Sequence, residues 1–227
     1  MTLAERIQAV ESRISAACER SGRSRDDVQV IAVTKYVSLA ATGEAIQAGL
    51  RQIGENRWQD AEPKWRAYEH QATWHYIGSL QTNKVKEVVG RFSFIHSLDR
   101  VSLAEAIEKR ARALGVRVPC FIQVNVSGEE SKHGLSPQDV KPFLEKLKEF
   151  PHIQPYGYMT MAPYEAEPES TRPVFRGLRQ LRDELNQALS EPIEHLSMGM
   201  SNDFEVAIEE GATWVRLGSI LVGKEEG

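Results

Sequence analysis

Hydrophobic positions along the chain follow two different periods. Apolar residues recur at helical spacing from Leu3 to Ile14, and Thr2 with Glu5 forms a capping box, so this segment is predicted to be an N-terminal helix. The period changes at residues 28–33, which form a short β-rich apolar run. Seven more apolar runs follow, separated by helical patterns, near residues 51–53, 73–77, 93–96, 118–126, 153–158, 194–197 and 213–217.

Glycines punctuate the helical patterns between these runs. Gly49, Gly115 and Gly211 each stand where a helix would end. Strands that alternate with helices predict a parallel sheet, and eight is the number of strands that closes a barrel. We therefore predict an α/β fold, a single (β/α)8 TIM-type barrel with an extra N-terminal helix, formed by residues 1–227 as one domain.

The main rival is an open, doubly wound sheet. That fold usually places a glycine-rich turn directly after its first strand, where it binds a dinucleotide. After Val33 the next glycine is Gly43, so the sequence favours the barrel.

Charge and composition narrow the range of partners. The chain has 28 basic and 32 acidic residues, a net charge of −4, and no long basic run, so we expect neither nucleic acid nor membrane as a partner. The N-terminus lacks an apolar export segment and no stretch approaches a membrane span, which predicts a cytoplasmic protein. Cys18 and Cys120 form no Cys-x-x-Cys pair and are interpreted as small buried apolar residues. A monomer is the simplest expectation.

Lys35 closes the first apolar run. Active groups of such barrels lie at the carboxyl ends of the strands, so this lysine is expected at the edge of the barrel interior. Loss of water and neighbouring cations activate an amine there for Schiff-base chemistry. A lysine that extends into solvent is the alternative, and from the strand alone it is the commoner case.

Two small turns lie at the ends of the last two runs. Ser197 to Ser201, with Gly199 at its centre, leads into a helix predicted over residues 202–210, and Gly218-Ser219 follows the eighth run. Backbone N–H groups at such turns hold phosphate, and barrels usually place phosphate sites after strands seven and eight. Glycines that only make tight turns are the alternative. A lysine combined with a phosphate site indicates a phosphorylated aldehyde, and pyridoxal 5'-phosphate (PLP) is the common cofactor of that kind.

Arg216 precedes the second turn by two residues. Facing the pyridine nitrogen of PLP, its guanidinium would donate hydrogen bonds without giving up a proton. An inward-facing arginine paired with a carboxylate fits the spacing equally well. His75, His96 and His195 lie in separate runs without ligand spacing, so we interpret them as core or pocket hydrogen-bonding residues and predict no metal site.

Several segments resemble the pyridoxal phosphate homeostasis protein family, single-domain PLP-binding barrels related to the alanine racemase N-terminal domain. The resemblance covers nearly the whole chain in the right order. It rests on residues 31–35, 54–56, 74–84, 123–126, 195–203 and 215–218.

The resemblance implies a role for each candidate residue. Lys35 would carry PLP as a Schiff base, with Asn56 beside the cofactor and Arg216 at the pyridine nitrogen. The phosphate would lie on the turn that contains Ser197, Gly199 and Ser201, and on Gly218-Ser219. The family implies a role in vitamin B6 and amino-acid homeostasis without an established reaction. Tyr36 departs from the small residue common after the lysine, and we expect it to point out of the barrel.

Three functions compete at this stage. The first is a PLP carrier, with apo PLP-dependent enzymes as possible recipients of the cofactor. The second is a PLP-dependent amino-acid racemase, but alanine racemases add a β-domain with a catalytic tyrosine, and this chain ends at Gly227. Tyr156, Tyr158 and Tyr164 are its only late tyrosines, and no spacing brings one over the cofactor. The third is an aldolase-like enzyme that uses Lys35 without a cofactor.

Overall fold

A computed structural model describes residues 1–129, 133–163 and 166–223. Eight parallel strands form a closed barrel in which each strand pairs with its neighbours in chain order and β8 returns to β1. The predicted barrel is therefore confirmed, strand by strand. The strands are β1 Gln29–Val33, β2 Gln52–Glu55, β3 Thr73–Tyr76, β4 Phe94–Leu98, β5 Val118–Gln123, β6 Ile153–Met159, β7 His195–Ser197 and β8 Trp214–Leu217.

Helices follow the strands around the outside of the barrel, and one precedes them. In the described part of the chain they are α1 Leu3–Arg20, α2 Leu39–Gln47, α3 Trp58–Tyr68, α4 Val85–Val88, α5 Val101–Leu114, α6 Pro137–Leu147, α7 Arg172–Asn186, α8 Phe204–Glu209 and α9 Ser219–Val222. None of the helices in these ranges is long and apolar enough to cross a membrane.

The N-terminal helix α1 begins as its sequence predicts. The Thr2 hydroxyl accepts a hydrogen bond from the Glu5 N–H at 3.2 Å, and the Thr2 N–H donates to the Glu5 carboxylate at 2.7 Å. Arg6 then ties this helix to α9, because its Nε donates to the Leu221 carbonyl at 3.0 Å. The extra helix is thereby anchored beside the last strand.

The helix predicted over residues 202–210 begins later than expected. Residues 201–203 form a turn, and α8 starts at Phe204. The Asp203 carboxylate accepts the Met200 N–H at 2.7 Å, which closes the turn and delays the helix. The segment between β7 and α8 is therefore a longer loop than the sequence pattern indicated.

Hydrophobic residues fill two layers. The larger layer lies between the strands and the surrounding helices and contains both cysteines, which are buried and free as interpreted. The smaller layer lies inside the barrel, where Phe94 and Tyr156 pack against a buried cluster. That cluster comprises Ile31, Phe121, Met159 and Trp214.

A buried ion pair holds the end of β1. Lys64 on α3 donates to the Glu55 carboxylate at 2.9 Å and to the Thr34 carbonyl at 2.7 Å. The Thr34 hydroxyl donates to the same carboxylate at 2.5 Å. Glu55 is fully buried and Lys64 is 6% exposed, so each charge depends on the other for stabilisation. The network fixes the backbone immediately before Lys35.

Candidate functional site

Lys35 lies at the carboxyl end of β1, on the inner side of the barrel. Ile31 belongs to the interior cluster, and every second residue of a strand faces the same way, so Lys35 shares its facing. Its side chain is half-buried, and its Nζ lies 4.8 Å from the centre of the Tyr36 ring. Tyr36 is 73% exposed, as expected for a side chain outside the barrel, yet its ring reaches the amine.

Asn56 lies next to Lys35 at the same end of the barrel. Val33 pairs with Gly54, so continuing this register by two residues brings Lys35 and Asn56 side by side. Gly78, which follows β3, packs on the backbone of Asn56 so closely that a Cβ there would collide with it. Asn56 is half-buried, and the missing side chain at Gly78 lets the ends of β2 and β3 converge.

The turns after β7 and β8 are joined to each other. The Gly218 N–H donates to the Ser201 hydroxyl at 3.2 Å, and the Arg216 N–H donates to the Gly199 carbonyl at 3.0 Å. Gly199 has a φ of +94°, and a Cβ there would lie 2.6 Å from that of Ala207, so glycine is required.

The first N–H groups of α9, which starts at exposed Ser219, have no acceptor within the helix. The two turns and this helix start therefore offer hydroxyl and backbone donors at one side of the barrel mouth. β8 pairs with β1, which brings this side next to Lys35.

Arg216 is buried in the barrel interior, with 5% of its surface exposed. Its Nη1 donates to the Ser197 hydroxyl at 2.7 Å and its Nη2 to the Thr160 carbonyl at 3.2 Å. Burial lowers the pKa of the guanidinium to about 10, and the negative charge of Asp203 partly offsets this, so Arg216 is charged at neutral pH. Both hydrogen-bond partners are neutral oxygens. The sequence had left open a carboxylate as the partner of Arg216, and no carboxylate is hydrogen-bonded to it in the described part of the chain.

Two buried histidines continue from Ser197 across the interior. His96 Nδ1 lies 2.9 Å from the Ser197 hydroxyl, and His96 Nε2 lies 3.0 Å from His75 Nδ1. His75 Nε2 then lies 2.7 Å from the Gln52 side-chain oxygen. The interpretation of these histidines as pocket hydrogen-bonding residues is confirmed. We call Arg216, Ser197, His96, His75 and Gln52 the interior relay.

Burial keeps both relay histidines neutral. It lowers the pKa of His75 to about 3, and it lowers that of His96 well below 6.5 with help from His75 and the positive charge of Arg216. His195 on β7 stands apart from the relay, because its Nδ1 contacts the Thr213 hydroxyl at 3.2 Å. Within the described ranges, no group of three or more His, Cys, Asp or Glu residues could hold a metal ion.

Sequence reasoning missed part of this arrangement. It assigned Ser197 to the phosphate turn, whereas the side chain is fully buried and engaged with His96 and Arg216. It did not single out Gln52 at all. The alternation of inward and outward residues along β2 could have identified it, because Gln52 and Gly54 face the same side. That side is the interior, since a Cβ on Gly54 would lie 2.7 Å from the Ile31 side chain.

Two of the three tyrosines in the last third of the chain belong to the described residues, and both lie away from the mouth. Tyr156 stacks on His195, with ring centres 4.4 Å apart, toward the amino-terminal end of the barrel. Tyr158, two residues further on, is fully buried in the outer hydrophobic layer, because the pairing with β5 shifts register at Tyr156. Tyr164 and the adjacent Glu165 lie outside the described residues.

Comparison with known proteins places this barrel in a class. The model of the family described as "Alanine racemase, N-terminal domain" matches residues 6–226. The barrel is also similar to an alanine racemase from Clostridium difficile, with a TM-score of 0.77 over 99% of this chain and 57% of that one. The identity is only 15%, so this likeness shows the fold alone.

Relatives with higher sequence identity show which family within this class the chain belongs to. The chain is 45% identical to the pyridoxal phosphate homeostasis protein of Aquifex aeolicus over the full length of both, and 40% identical to that of Pseudomonas aeruginosa over 99% and 96%. PipY of Synechococcus elongatus, solved with PLP bound, is 36% identical with a TM-score of 0.85, covering 98% of this chain and all of PipY. The chain belongs to the pyridoxal phosphate homeostasis protein family.

The relay histidines predict how stability responds to acid. The unfolded chain protonates His75 and His96 near pH 6.5, whereas the folded chain keeps them neutral to far lower pH. The free energy of unfolding should therefore decrease as pH falls below 6.5, by about 2 kcal/mol between pH 7 and pH 5 for His75, and His96 should add a loss of the same sign. Urea unfolding across this range measures the effect.

A variant isolates the contribution of one histidine. His96→Phe should reduce the loss between pH 7 and pH 5, because it removes one of the two groups whose pKa burial lowers. His70→Gln, at an exposed position outside the relay, serves as the matched control for the loss of a histidine. An identical pH dependence in His96→Phe and the wild type would contradict the assignment.

Proposed function

We propose that this protein holds PLP as a Schiff base on Lys35 and acts in intracellular PLP (vitamin B6) and amino-acid homeostasis. The observation that carries the proposal is that Lys35, Asn56 and the joined turns at Ser201 and Gly218 meet at one end of the barrel. The names of the relatives and the PLP bound to PipY support the same cofactor.

Lys35 is suited to hold an aldehyde. PLP supplies a carbonyl group that condenses with a primary amine and releases water. The amine must be reachable from the mouth and fixed at its base, and Lys35 is half-buried on a strand end that Lys64 and Glu55 hold from behind. Asn56 lies on the neighbouring strand end, where its amide can contact the ring.

The phosphate of PLP fits the joined turns. Ser201 and Ser219 provide hydroxyl groups, and the start of α9 provides N–H groups without acceptors inside the helix. Gly199, whose positive φ only glycine adopts readily, makes the tight turn that presents these groups. Ser197 supports the site from below through Arg216 instead of facing the phosphate.

Arg216 favours binding over turnover. A guanidinium opposite the pyridine nitrogen donates a hydrogen bond and stays charged, so the ring remains unprotonated and withdraws electrons weakly. Neither Tyr156 nor Tyr158 lies at the mouth to serve as a base. A cofactor carrier, whose recipients are apo PLP-dependent enzymes in the cytoplasm, fits these features better than a racemase.

Chemical reduction should fix the cofactor on one lysine. Borohydride converts a Schiff base into a stable amine, so reduced and digested holo-protein should carry a pyridoxyl group on Lys35. Mass spectrometry of the peptides and the visible spectrum of the unreduced protein measure this. Lys35→Ala should remain folded and bind PLP without a covalent link, and Lys84→Ala should behave as the wild type. Label on another lysine would sink the assignment.

Loss of a phosphate contact should weaken the cofactor. Ser201→Ala and Ser219→Ala should each reduce PLP affinity by about 1.5–3 kcal/mol, because each removes a hydrogen bond to a charged group. Titration followed by absorbance measures the affinity, and Ser12→Ala on α1 is a control far from the mouth. Equal affinity for PLP and for pyridoxal, which lacks the phosphate, would rule out the cradle.

The carrier and racemase hypotheses separate in deuterated water. A carrier should show no sustained exchange of the α-proton of L-alanine and no accumulation of D-alanine, because the ring is a weak electron sink. Proton NMR and chiral chromatography of the mixture with holo-protein measure both. Multiple turnovers that vanish in Lys35→Ala would favour the racemase.

A further inference from the structure

The interior relay accounts for an unusual feature of Arg216. A buried positive charge ordinarily requires a paired carboxylate, because transfer out of water is costly. Here the guanidinium donates to a hydroxyl and a backbone carbonyl, and the hydroxyl is backed by two imidazoles and an amide. The charge is thus hydrogen-bonded only to neutral groups, and the carboxylate of Asp203 offsets it in part without bonding to it.

Hydrogen-bond chemistry gives the relay one direction. Arg216 has only donors, so Ser197 must accept from it and can pass its own proton to His96 Nδ1. At the other end the Gln52 oxygen can only accept, so His75 Nε2 carries a proton. Because His75 is neutral, its Nδ1 accepts from His96 Nε2. The donor-only guanidinium at one end and the acceptor-only amide oxygen at the other thus impose the same direction on the hydrogen bonds.

This direction has a consequence for the mouth of the barrel. Every proton between Ser197 and Gln52 points away from the mouth, and each histidine is the neutral Nε2–H tautomer. Packing holds the rings in place, with His75 stacked on Phe94 at 4.7 Å and His96 stacked on Phe121 at 4.2 Å. A carboxylate in place of this chain would cancel the charge of Arg216.

We propose that His96, His75 and Gln52 are positioning residues that act through Ser197 to aim the charge and the remaining N–H donors of Arg216 at the ring nitrogen of PLP. The inference rests on the proposed function and deepens it. It assigns the specificity of the site to an anionic ligand whose ring nitrogen has a free lone pair. The relay is then a determinant of ligand choice.

A ligand pair tests this role directly. The carbocyclic analogue of PLP, with C–H in place of the ring nitrogen, keeps the aldehyde and the phosphate but cannot accept from Arg216. The wild type should prefer PLP by roughly tenfold or more, the value of one hydrogen bond to a charged donor. Absorbance titration measures the ratio of the two dissociation constants, and the change of this ratio between the wild type and a variant reports this bond.

Two matched variants follow from the fold. His96→Phe keeps a ring stacked on Phe121 but removes both nitrogens, and it should reduce the preference to about threefold or less. His195→Phe keeps a ring stacked on Tyr156 outside the relay, and its preference should equal that of the wild type. Gln52→Leu, at the far end, tests the relay if His96→Phe does not fold, and it should also lower the preference.

The outcomes are distinct. A variant that weakens both ligands equally, leaving the preference intact, would show that His96 is merely structural and overturn the inference. Equal binding of both ligands by the wild type would overturn it as well. Failure of the wild type to bind either ligand would refute the proposed function itself. Nitrogen-15 NMR of the cofactor-free protein provides a readout without ligand, in which His75 and His96 should both be neutral Nε2–H tautomers, and any other tautomer would contradict the relay.

Discussion

Closure of the parallel barrel is the constraint on which the rest of the structure depends. A closed sheet has no edges, and every second residue of every strand must share one narrow interior. Gly54 makes room for Ile31, and a Cβ at Gly157 would lie 2.6 Å from the Phe121 ring, so small and large residues alternate around the interior. The same closure brings all eight strand ends to one mouth.

The enclosed interior also determines its electrostatics. Polar groups removed from water must satisfy one another, and the interior relay does so with four successive hydrogen bonds. Burial among stacked aromatic rings removes both histidines from water and disfavours the charged imidazolium form. The only full charge in the relay is therefore that of Arg216, at the end nearest the mouth.

Local patterns made much of the fold predictable. The eight strands follow from apolar runs, and the start of α1 follows from Thr2 and Glu5. The late start of α8 was not predicted, because it depends on the hydrogen bond from the Met200 N–H to the Asp203 carboxylate. Met200 lies before the helix, so the helical pattern does not reveal this bond. These outcomes depend on residues close together in the chain, where sequence reasoning is strongest.

Contacts between residues that are far apart in the sequence could not be predicted from local patterns. His96 and Ser197 are 101 positions apart, and alternation shows that each faces inward but not which inward residues meet. Lys64 resembles any lysine on a surface helix, yet it is buried against Glu55. The place of Lys35 at the mouth was predictable, because the carboxyl end of a strand can be located from the sequence and always lies at that side of the barrel.

The Lys64 ion pair has a chemical consequence of its own. Two primary amines lie at the end of β1, and electrophiles react with an amine only through its free electron pair. Lys64 is enclosed, with its ammonium group held by a carboxylate and a carbonyl, whereas Lys35 is half-buried beside the exposed Tyr36 ring. The barrel thus distinguishes two identical functional groups through their neighbours, and of these two amines only Lys35 is open to a carbonyl compound that enters the mouth.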